Sequence, residues 1–445
     1  MKLIFITAAL AQVASLSSAA SVESGKEFWE SWTSQIDPFN VTIPKITQTT
    51  SIDPFQECVD YIPDSSLITI NPKEWPTIWD TATTNGMNES AEFKALKGSI
   101  DWTKAPNIQV RQKDANGNLI MTGYDQNSDP DCWWSASTCV HPKLQDVNKD
   151  VYYCSEPETW GLSYDDGPNC SHNAFYNFLQ EKDLKATMFY IGSNVLDWPY
   201  GAMRGIRDGH HIADHTWSHQ PMTTLNNDEV LAEFYYSMKA IHLATGVTPR
   251  YWRPPYGDVD DRVRWVATQL GLTTVVWSLD TDDWAAGLTE TLAQVQGNYD
   301  AFIDMGKNGT FKAGGQIVLS HEINNTTMQL AVDNLPKILD AYEHVVDVAT
   351  CMNITYPYQE RTVAFFPFNI AIAKNKTGDQ PATAVVGTNT NGPVTATGAW
   401  VSETGKAALQ ASPDAAQGTK KSSAAFHIAP NAVLLVVVVM SAIFF

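Results

Sequence analysis

Apolar and polar positions keep no single rhythm along the chain, and the changes mark its parts. Lys2 leads an apolar run from Leu3 to Val13 that ends in the small residues Ser18, Ala19 and Ala20. A charged lead, a short apolar stretch and a small-x-small end predict a secretory signal peptide over 1–20. Residues 21–150 have no regular period. Prolines and tryptophans are scattered there, and one hairpin signal stands where Ile108–Lys113 and Leu119–Thr122 flank Asp114-Ala115-Asn116-Gly117-Asn118. This stretch predicts an N-terminal extension, of a role the sequence does not name, packed on the domain C-terminal to it.

From 151 to 352 short apolar runs alternate with helical ones. Strands are predicted over Gly161–Tyr164, Thr187–Ile191, His211–Ala213, Tyr251–Arg253, Thr274–Leu279, Gln316–Ser320 and Val345–Val348. Helices include Asp228–Ala244, capped by Asn226 or Asn227, and Asp260–Leu270. Strands alternating with helices imply parallel pairing through crossovers, and this many predict an α/β fold, a distorted (β/α)7-type barrel. Residues 353–377 predict a C-terminal segment packing on that domain. From 378 to 425 Ala, Thr, Gly, Ser, Asn and Pro dominate, too little apolar surface to offset ordering entropy, which predicts a disordered, Ser/Thr-rich stalk. The apolar run Ala432–Phe445 is short of the ~20 residues a spanning helix needs. With the small residues Ser422, Ser423 and Ala424 ahead of it, it predicts a glycosylphosphatidylinositol attachment propeptide over 426–445, with the lipid on Ser422.

These ends place the chain in the secretory pathway, anchored to the plasma membrane and open to transfer into the cell wall. N-x-[ST] sequons at Asn40, Asn88, Asn169, Asn308, Asn324, Asn325, Asn353 and Asn375 fit that route, with Asn324 and Asn325 overlapping. Composition narrows the partners. The 29 Lys and Arg against 49 Asp and Glu leave a net charge of −20, which repels nucleic acid and disfavours a phosphate-tracking surface, so no nucleic-acid partner is expected. A hydrophobic fraction of 44% with 15 Trp, 16 Tyr and 17 Phe excludes a mostly disordered chain and makes carbohydrate a plausible partner.

In such barrels chemistry gathers at the C-terminal strand ends. After the first strand stands Ser163-Tyr164-Asp165-Asp166-Gly167-Pro168, two adjacent carboxylates of which one can ligate a metal and the other act as a base. His215-Thr216-Trp217-Ser218-His219 sets two imidazoles four residues apart, on one face if the segment is a helical turn. Two histidines and one carboxylate complete a three-ligand metal site with an open position. His210 and His211 precede or lie inside a strand and are set aside. Arg253-Pro254-Pro255-Tyr256-Gly257, Trp277-Ser278-Leu279-Asp280-Thr281-Asp282-Asp283 and Leu319-Ser320-His321 end later strands. No G-x-S-x-G elbow occurs, which disfavours a serine esterase.

The order and spacing of these five segments resemble the polysaccharide deacetylase family, carbohydrate esterase family four, with its NodB homology domain. The resemblance spans about 153–352. It implies that Asp165 is the base, Asp166, His215 and His219 the metal ligands, Arg253 the partner of the base, and the Tyr256 backbone N–H an oxyanion donor. Trp277 and Leu319 would line the acetyl pocket, His321 would be the general acid, and Asp283 would hold it protonated, with Asp280 near enough to exchange roles. One divalent ion is implied, zinc or cobalt before manganese. Tyr164 departs from the family's more frequent Phe. With the anchor signal, the implied activity is metal-dependent removal of N-acetyl groups from chitin or chitin oligomers to give chitosan and acetate, by a monomer acting in fungal cell wall remodelling. Cys154 and Cys351 flank the barrel and are predicted to pin its ends; the sequence leaves the pairing of Cys58, Cys132, Cys139 and Cys170 open, a local Cys132–Cys139 pair with Cys58–Cys170 being one arrangement.

Overall fold

The computed structural model describes residues 68–361 and 363–377, together with Trp29, Trp32 and 384–386. The signal segment, the attachment tail, Asn40, Cys58, Ser422 and most of the stalk lie outside the described residues.

The first strand, β1 (Thr159–Gly167), is buried along nearly its whole length, so its sequence TWGLSYDDG shows no alternation. That is expected of a strand covered on both faces. It is followed by β2 (Thr187–Tyr190), β3 (His211–Asp214), β4 (Tyr251–Trp252), β5 (Thr273–Thr274), β6 (Leu279–Asp280), β7 (Gln316–Leu319) and β8 (His344–Asp347). All pair parallel in the order β5-β4-β3-β2-β1-β7-β6, with β8 added to the first half of β1. The sheet curls into a half-barrel, as the strand–helix alternation predicts.

The predicted strand Thr274–Leu279 is in fact two short strands, β5 and β6, which pair at opposite ends of the sheet order. The residues between them cross the gap, where Val151 donates to Thr274 and accepts from Val276. A residue supplied from before the barrel thus takes ladder bonds that one continuous strand would have given a neighbour. The predicted hairpin near residue 115 is reduced to a single antiparallel bridge, Lys113 to Leu119. Ala384–Val386, inside the predicted stalk, pairs antiparallel with Val363–Phe365; this short apolar run is an exception to the stalk's polar composition.

Helix Asn227–Thr245 begins at a capping box in which the Asn226 side chain accepts from Asp228 and Glu229 N–H and the Glu229 carboxylate accepts from Asn226 N–H. It ends at Gly246, whose φ of 70° suits a residue without a Cβ. Almost all of its side chains are buried, because the extension covers the face that solvent would otherwise take. Phe93 of helix Ala91–Ser99 stacks on Tyr236 at 6.4 Å between centroids, and Tyr235 donates to Glu92. Asp260 caps the next helix, Asp261–Gln269, from just outside it.

Cys154 and Cys351 form a disulfide across 197 residues, joining the entry to β1 with the helical turn after β8. Cys132 pairs with Cys139, and Cys170 is also disulfide-bonded. The segment after the barrel docks through Tyr358, whose hydroxyl accepts from Ile212 N–H at 3.0 Å, and through Glu360, which accepts from the Thr248 N–H and hydroxyl. No described helix is long and apolar enough to cross a membrane.

Candidate active site

Regular strands send successive side chains to opposite faces, so two adjacent aspartates cannot both face one site without a break. The break is present. The pairing of β1 with β2 shifts register between Asp165 and Gly167, and Asp166 adopts φ 74°. Asn194 donates to the Asp166 carbonyl at 2.8 Å and holds this left-handed residue in place. The bulge is thus the device that puts both carboxylates beside His215, 3.7 Å away for Asp165 and 3.3 Å for Asp166.

Asp165 is anchored on two sides. Its N–H donates to Ser320 and its carbonyl accepts from Glu322 N–H, a parallel bridge that sets it beside His321. Its Oδ1 accepts from Arg253 Nη1 at 2.7 Å, and the same nitrogen donates to Ser163 Oγ at 3.0 Å. Arg253 is fully buried, its guanidinium 4.0 Å from the Phe189 ring centre and 5.8 Å from that of Trp277. Burial lowers its pKa, while Asp165 opposes the shift. Leaving either charge without the other would strand an ion in a dry site, at about 3–5 kcal/mol.

The two histidines meet Asp166 without the helical turn that would have set them on one face. The segment from His215 to His219 is an irregular loop with Thr216 at φ 66° and His219 at φ 55°. Buried carboxylates shape it. Asp214 accepts from Thr216 N–H at 2.7 Å, and Glu233 accepts from the Ser218 N–H and hydroxyl, both at 2.8 Å. Local bonds from side chains replace the helical ladder.

His215 Nε2 lies 3.3 Å and His219 Nε2 3.2 Å from Asp166 Oδ1, and the ligand atoms of all three lie within 4.8 Å of one another. His215 Nδ1 is 2.7 Å from the Arg253 carbonyl. A carbonyl only accepts, so Nδ1 carries the proton and the neutral ring turns its Nε2 lone pair toward Asp166. Asp166 Oδ1 is buried with no hydrogen-bond partner. Lone pairs converging on a buried anionic oxygen repel one another unless a cation stands among them, and this donor set suits a divalent metal. In the cation's place a proton would be drawn in: burial opposes it, yet Asp165 and Asp166 raise His215, and burial notwithstanding the two imidazoles hold Asp166 well below the usual carboxylate range.

His321 follows β7. Its Nδ1 lies 2.6 Å from Asp283 Oδ1, and its N–H donates to Asp283 Oδ2 at 2.8 Å. Burial disfavours the imidazolium, but the Asp283 charge and hydrogen bond outweigh it and push the ring up to about 10. Asp280, the other candidate, accepts instead from Asp282 N–H, and burial with the Asp282 charge pushes it up to about 7. Leu319 is buried on β7 and Trp277 is half-buried. Tyr256 sits in a turn at φ 58°, exposed, with its ring 4.7 Å from that of His219.

His210 and His211 are structural. His210 Nδ1 accepts from Ala186 N–H, His211 Nδ1 bonds the Thr187 hydroxyl, and burial pushes His211 down to about 3. Among the predicted glycan acceptors, Asn308, Asn324, Asn325 and Asn353 are exposed and Asn88 is half-buried. Asn169 fits a glycan poorly, since its amide nitrogen donates to the Glu322 and Ile323 carbonyls. Asn375 lies in a helix whose side chains at that point are outside the described residues.

Parallel strand ends that bring a carboxylate–guanidinium pair, a carboxylate-paired imidazole and a three-ligand cluster together define a hydrolytic enzyme of the α/β half-barrel class. Residues 153–275 match the family model for polysaccharide deacetylases. Chitin deacetylase of Amylomyces rouxii is 66% identical over 360 residues, covering 81% of this chain and 85% of that protein. Chitin deacetylase 2 of Cryptococcus neoformans var. grubii is 47% identical over 319 residues, covering 70% of this chain and 69% of that protein. The chain belongs to the polysaccharide deacetylase family. Among solved structures, that of the chitin deacetylase from Colletotrichum lindemuthianum is 24% identical with a TM-score of 0.42, covering 46% of this chain and 92% of that one.

Proposed function

We propose that this protein removes N-acetyl groups from chitin, releasing acetate and leaving chitosan, with one divalent ion, zinc or cobalt, held by Asp166, His215 and His219. The observation that carries the reading is the site itself, where Asp165 on Arg253, His321 on Asp283 and the cluster of Asp166, His215 and His219 stand at neighbouring strand ends. Similarity over most of the chain to proteins named chitin deacetylases supports the substrate.

When bound, the cation supplies Lewis acidity, polarising the amide carbonyl and bringing the pKa of a water down, to about 7 for zinc. The chain's own groups move the protons. Arg253 occupies Asp165 Oδ1, which leaves Oδ2 to take a proton from the attacking water. The Tyr256 N–H donates to the oxyanion that forms on the former carbonyl oxygen. His321, with Nδ1 bound to Asp283, carries the second proton on Nε2 and gives it to the departing amine as the C–N bond breaks. Trp277 and Leu319 enclose the acetyl methyl. Base and acid thus sit on different strand ends with different charged partners, which lets one be ionised while the other is protonated.

The leader-like run over 1–20 and the attachment-like pattern over 422–445 support export and a lipid anchor at the plasma membrane, where a fungal wall would offer chitin for remodelling. Acetate assay of the secreted protein against chitin oligomers, acetylated xylan and peptidoglycan tests the reading. Release from chitin oligomers, abolished by a chelator and restored by zinc or cobalt, is expected. Release from xylan alone, or binding with no release after metal is added, would refute it. Phospholipase C release of the protein from cell surfaces checks the anchor.

A further inference from the structure

The N-terminal extension reaches the Tyr256 side of the site through a disulfide-closed loop. Arg264, fully buried and paired with Asp150, donates to the carbonyls of both Cys132 and Cys139 and fixes the base of that loop. Inside it stand Trp133 and Trp134. The Trp133 indole N–H and the Ser135 hydroxyl donate to Asp258 Oδ1 at 2.8 and 2.7 Å, while Asp258 Oδ2 accepts from the Thr223 N–H and hydroxyl at 2.8 and 2.7 Å. One buried carboxylate therefore ties the extension to the turn that carries Tyr256 and to the chain leaving His219.

Trp134 goes further in. Its N–H donates to the Val259 carbonyl at 2.9 Å, and its six-membered ring lies against Gly257, where an added Cβ would come within 3.0 Å of three ring carbons. The same ring meets Trp277 at 4.7 Å between centroids. Tyr256 and Gly257 are consecutive left-handed residues, at φ 58° and 68°. A non-glycine residue in that region persists only where its surroundings over-determine it. The exposed Tyr256 ring cannot anchor the turn by its own burial, so the turn is held by the Asp258 hydrogen bonds on one side and by the packing beneath Gly257 on the other.

We propose that Trp134 is a positioning residue of the deacetylation site: its ring is the surface on which the Pro254–Asp258 turn and Trp277 both rest, so the extension sets the Tyr256 N–H and backs the acetyl pocket. This rests on the proposed role of the Tyr256 N–H as oxyanion donor. Trp134 meets Gly257 and Trp277 rather than a metal ligand, while the Tyr256 ring lies 4.7 Å from that of His219, so zinc affinity is read beside kcat to separate the two contributions.

The test uses the full secreted chain with chitin pentamer, comparing Trp134→Ala and Trp134→Phe for kcat, KM and zinc affinity by titration of the metal-free protein. Loss of a whole oxyanion donor costs about 10²–10³ in kcat; a displaced donor predicts a fall of roughly 10- to 100-fold for Trp134→Ala, on that same scale. KM and zinc affinity should stay within a small factor, and Trp134→Phe should recover most of kcat. A Trp134→Ala kcat equal to wild type, an effect confined to KM, or a fall in kcat that tracks lost zinc affinity would overturn the inference. If the alanine protein is not secreted, Trp134→Val, which withdraws the ring from both Gly257 and Trp277, carries the same expectation, and wild-type kcat there would overturn it. A wild-type protein that releases no acetate sinks the functional reading first, and this inference with it.

Discussion

Replacing Asp283 by Asn removes the charge that sits 2.6 Å from His321 Nδ1 while keeping the side chain's size. In the intact pair the imidazole is moved from 6.5 to about 10, against burial. That difference corresponds to about 5 kcal/mol in favour of the imidazolium. With the charge gone, even an ordinary histidine value of about 6.5 would leave roughly a quarter of His321 protonated at pH 7 and about 3% at pH 8. If His321 delivers the proton to the departing amine, kcat of Asp283→Asn falls about 4-fold at pH 7 and about 30-fold at pH 8, and the basic limb of the pH–rate profile moves to lower pH. Burial, which favours the neutral ring, would enlarge both losses. The same pair predicts a stability effect of definite sign. A folded-state pKa above the unfolded value contributes stability that is full below pH 6.5 and is lost as pH rises through about 10. Metal-free wild type should therefore lose more thermal stability between those limits than metal-free Asp283→Asn. Stopped acetate assays from pH 5 to 10, with NMR titration of the His321 ring in the metal-free protein, decide the matter. An equal loss of rate at every pH, or a ring that titrates alike in both proteins, would refute the reasoning.

The residues around the site carry expectations of their own. Glu233→Gln puts an amide N–H against one of the two backbone N–H groups, of Ser218 and Ala82, that the carboxylate now accepts from, and should weaken zinc binding about 10-fold, read by competition with a chromogenic chelator; unchanged affinity would mean that the loop between the histidines holds itself. Gly167→Ala places a methyl on the Glu322 carboxylate, which is fully buried and held by Tyr176 and His172, so the change should cost about 1–3 kcal/mol in denaturant unfolding. Serine at both Cys154 and Cys351 opens a loop of 197 residues and should cost up to about 5 kcal/mol on the chain-entropy account, seen as a lower unfolding midpoint in the non-reduced protein; an unchanged midpoint would contradict it.

What was legible in the sequence was whatever depends on neighbours in the chain. The strand-end segments around Asp165, His215, Arg253, Asp283 and His321 are short, and their order along the chain is the order of the strands that carry them. Asn226 and Glu229 likewise declare a helix start through a local box. What escaped depends on partners far away in sequence. The bulge that turns Asp166 toward Asp165's side of the sheet arises from pairing with β2, and the HTWSH segment is bent by carboxylates rather than wound by its own propensity. Glu233 did leave a signal, a lone charge within the apolar run Val230–Met238, but only the fold shows that it faces Ser218. Trp134 left none, because a tryptophan in an aperiodic segment reads as core until Gly257 is found beneath it. The single predicted strand Thr274–Leu279 failed for the same reason: an apolar run does not reveal that its two halves pair with different neighbours.

The central claim is that adjacent carboxylates at one strand end do different work, Asp165 moving a proton and Asp166 holding the cation. Asp165→Asn and Asp166→Asn, each titrated with zinc and then assayed for acetate release from chitin oligomers, test it most directly. Asp165→Asn should bind zinc with near wild-type affinity and release almost no acetate, whereas Asp166→Asn should lose both. Acetate release by Asp165→Asn at the wild-type rate, or loss of zinc from Asp165→Asn with zinc retained by Asp166→Asn, would contradict the account.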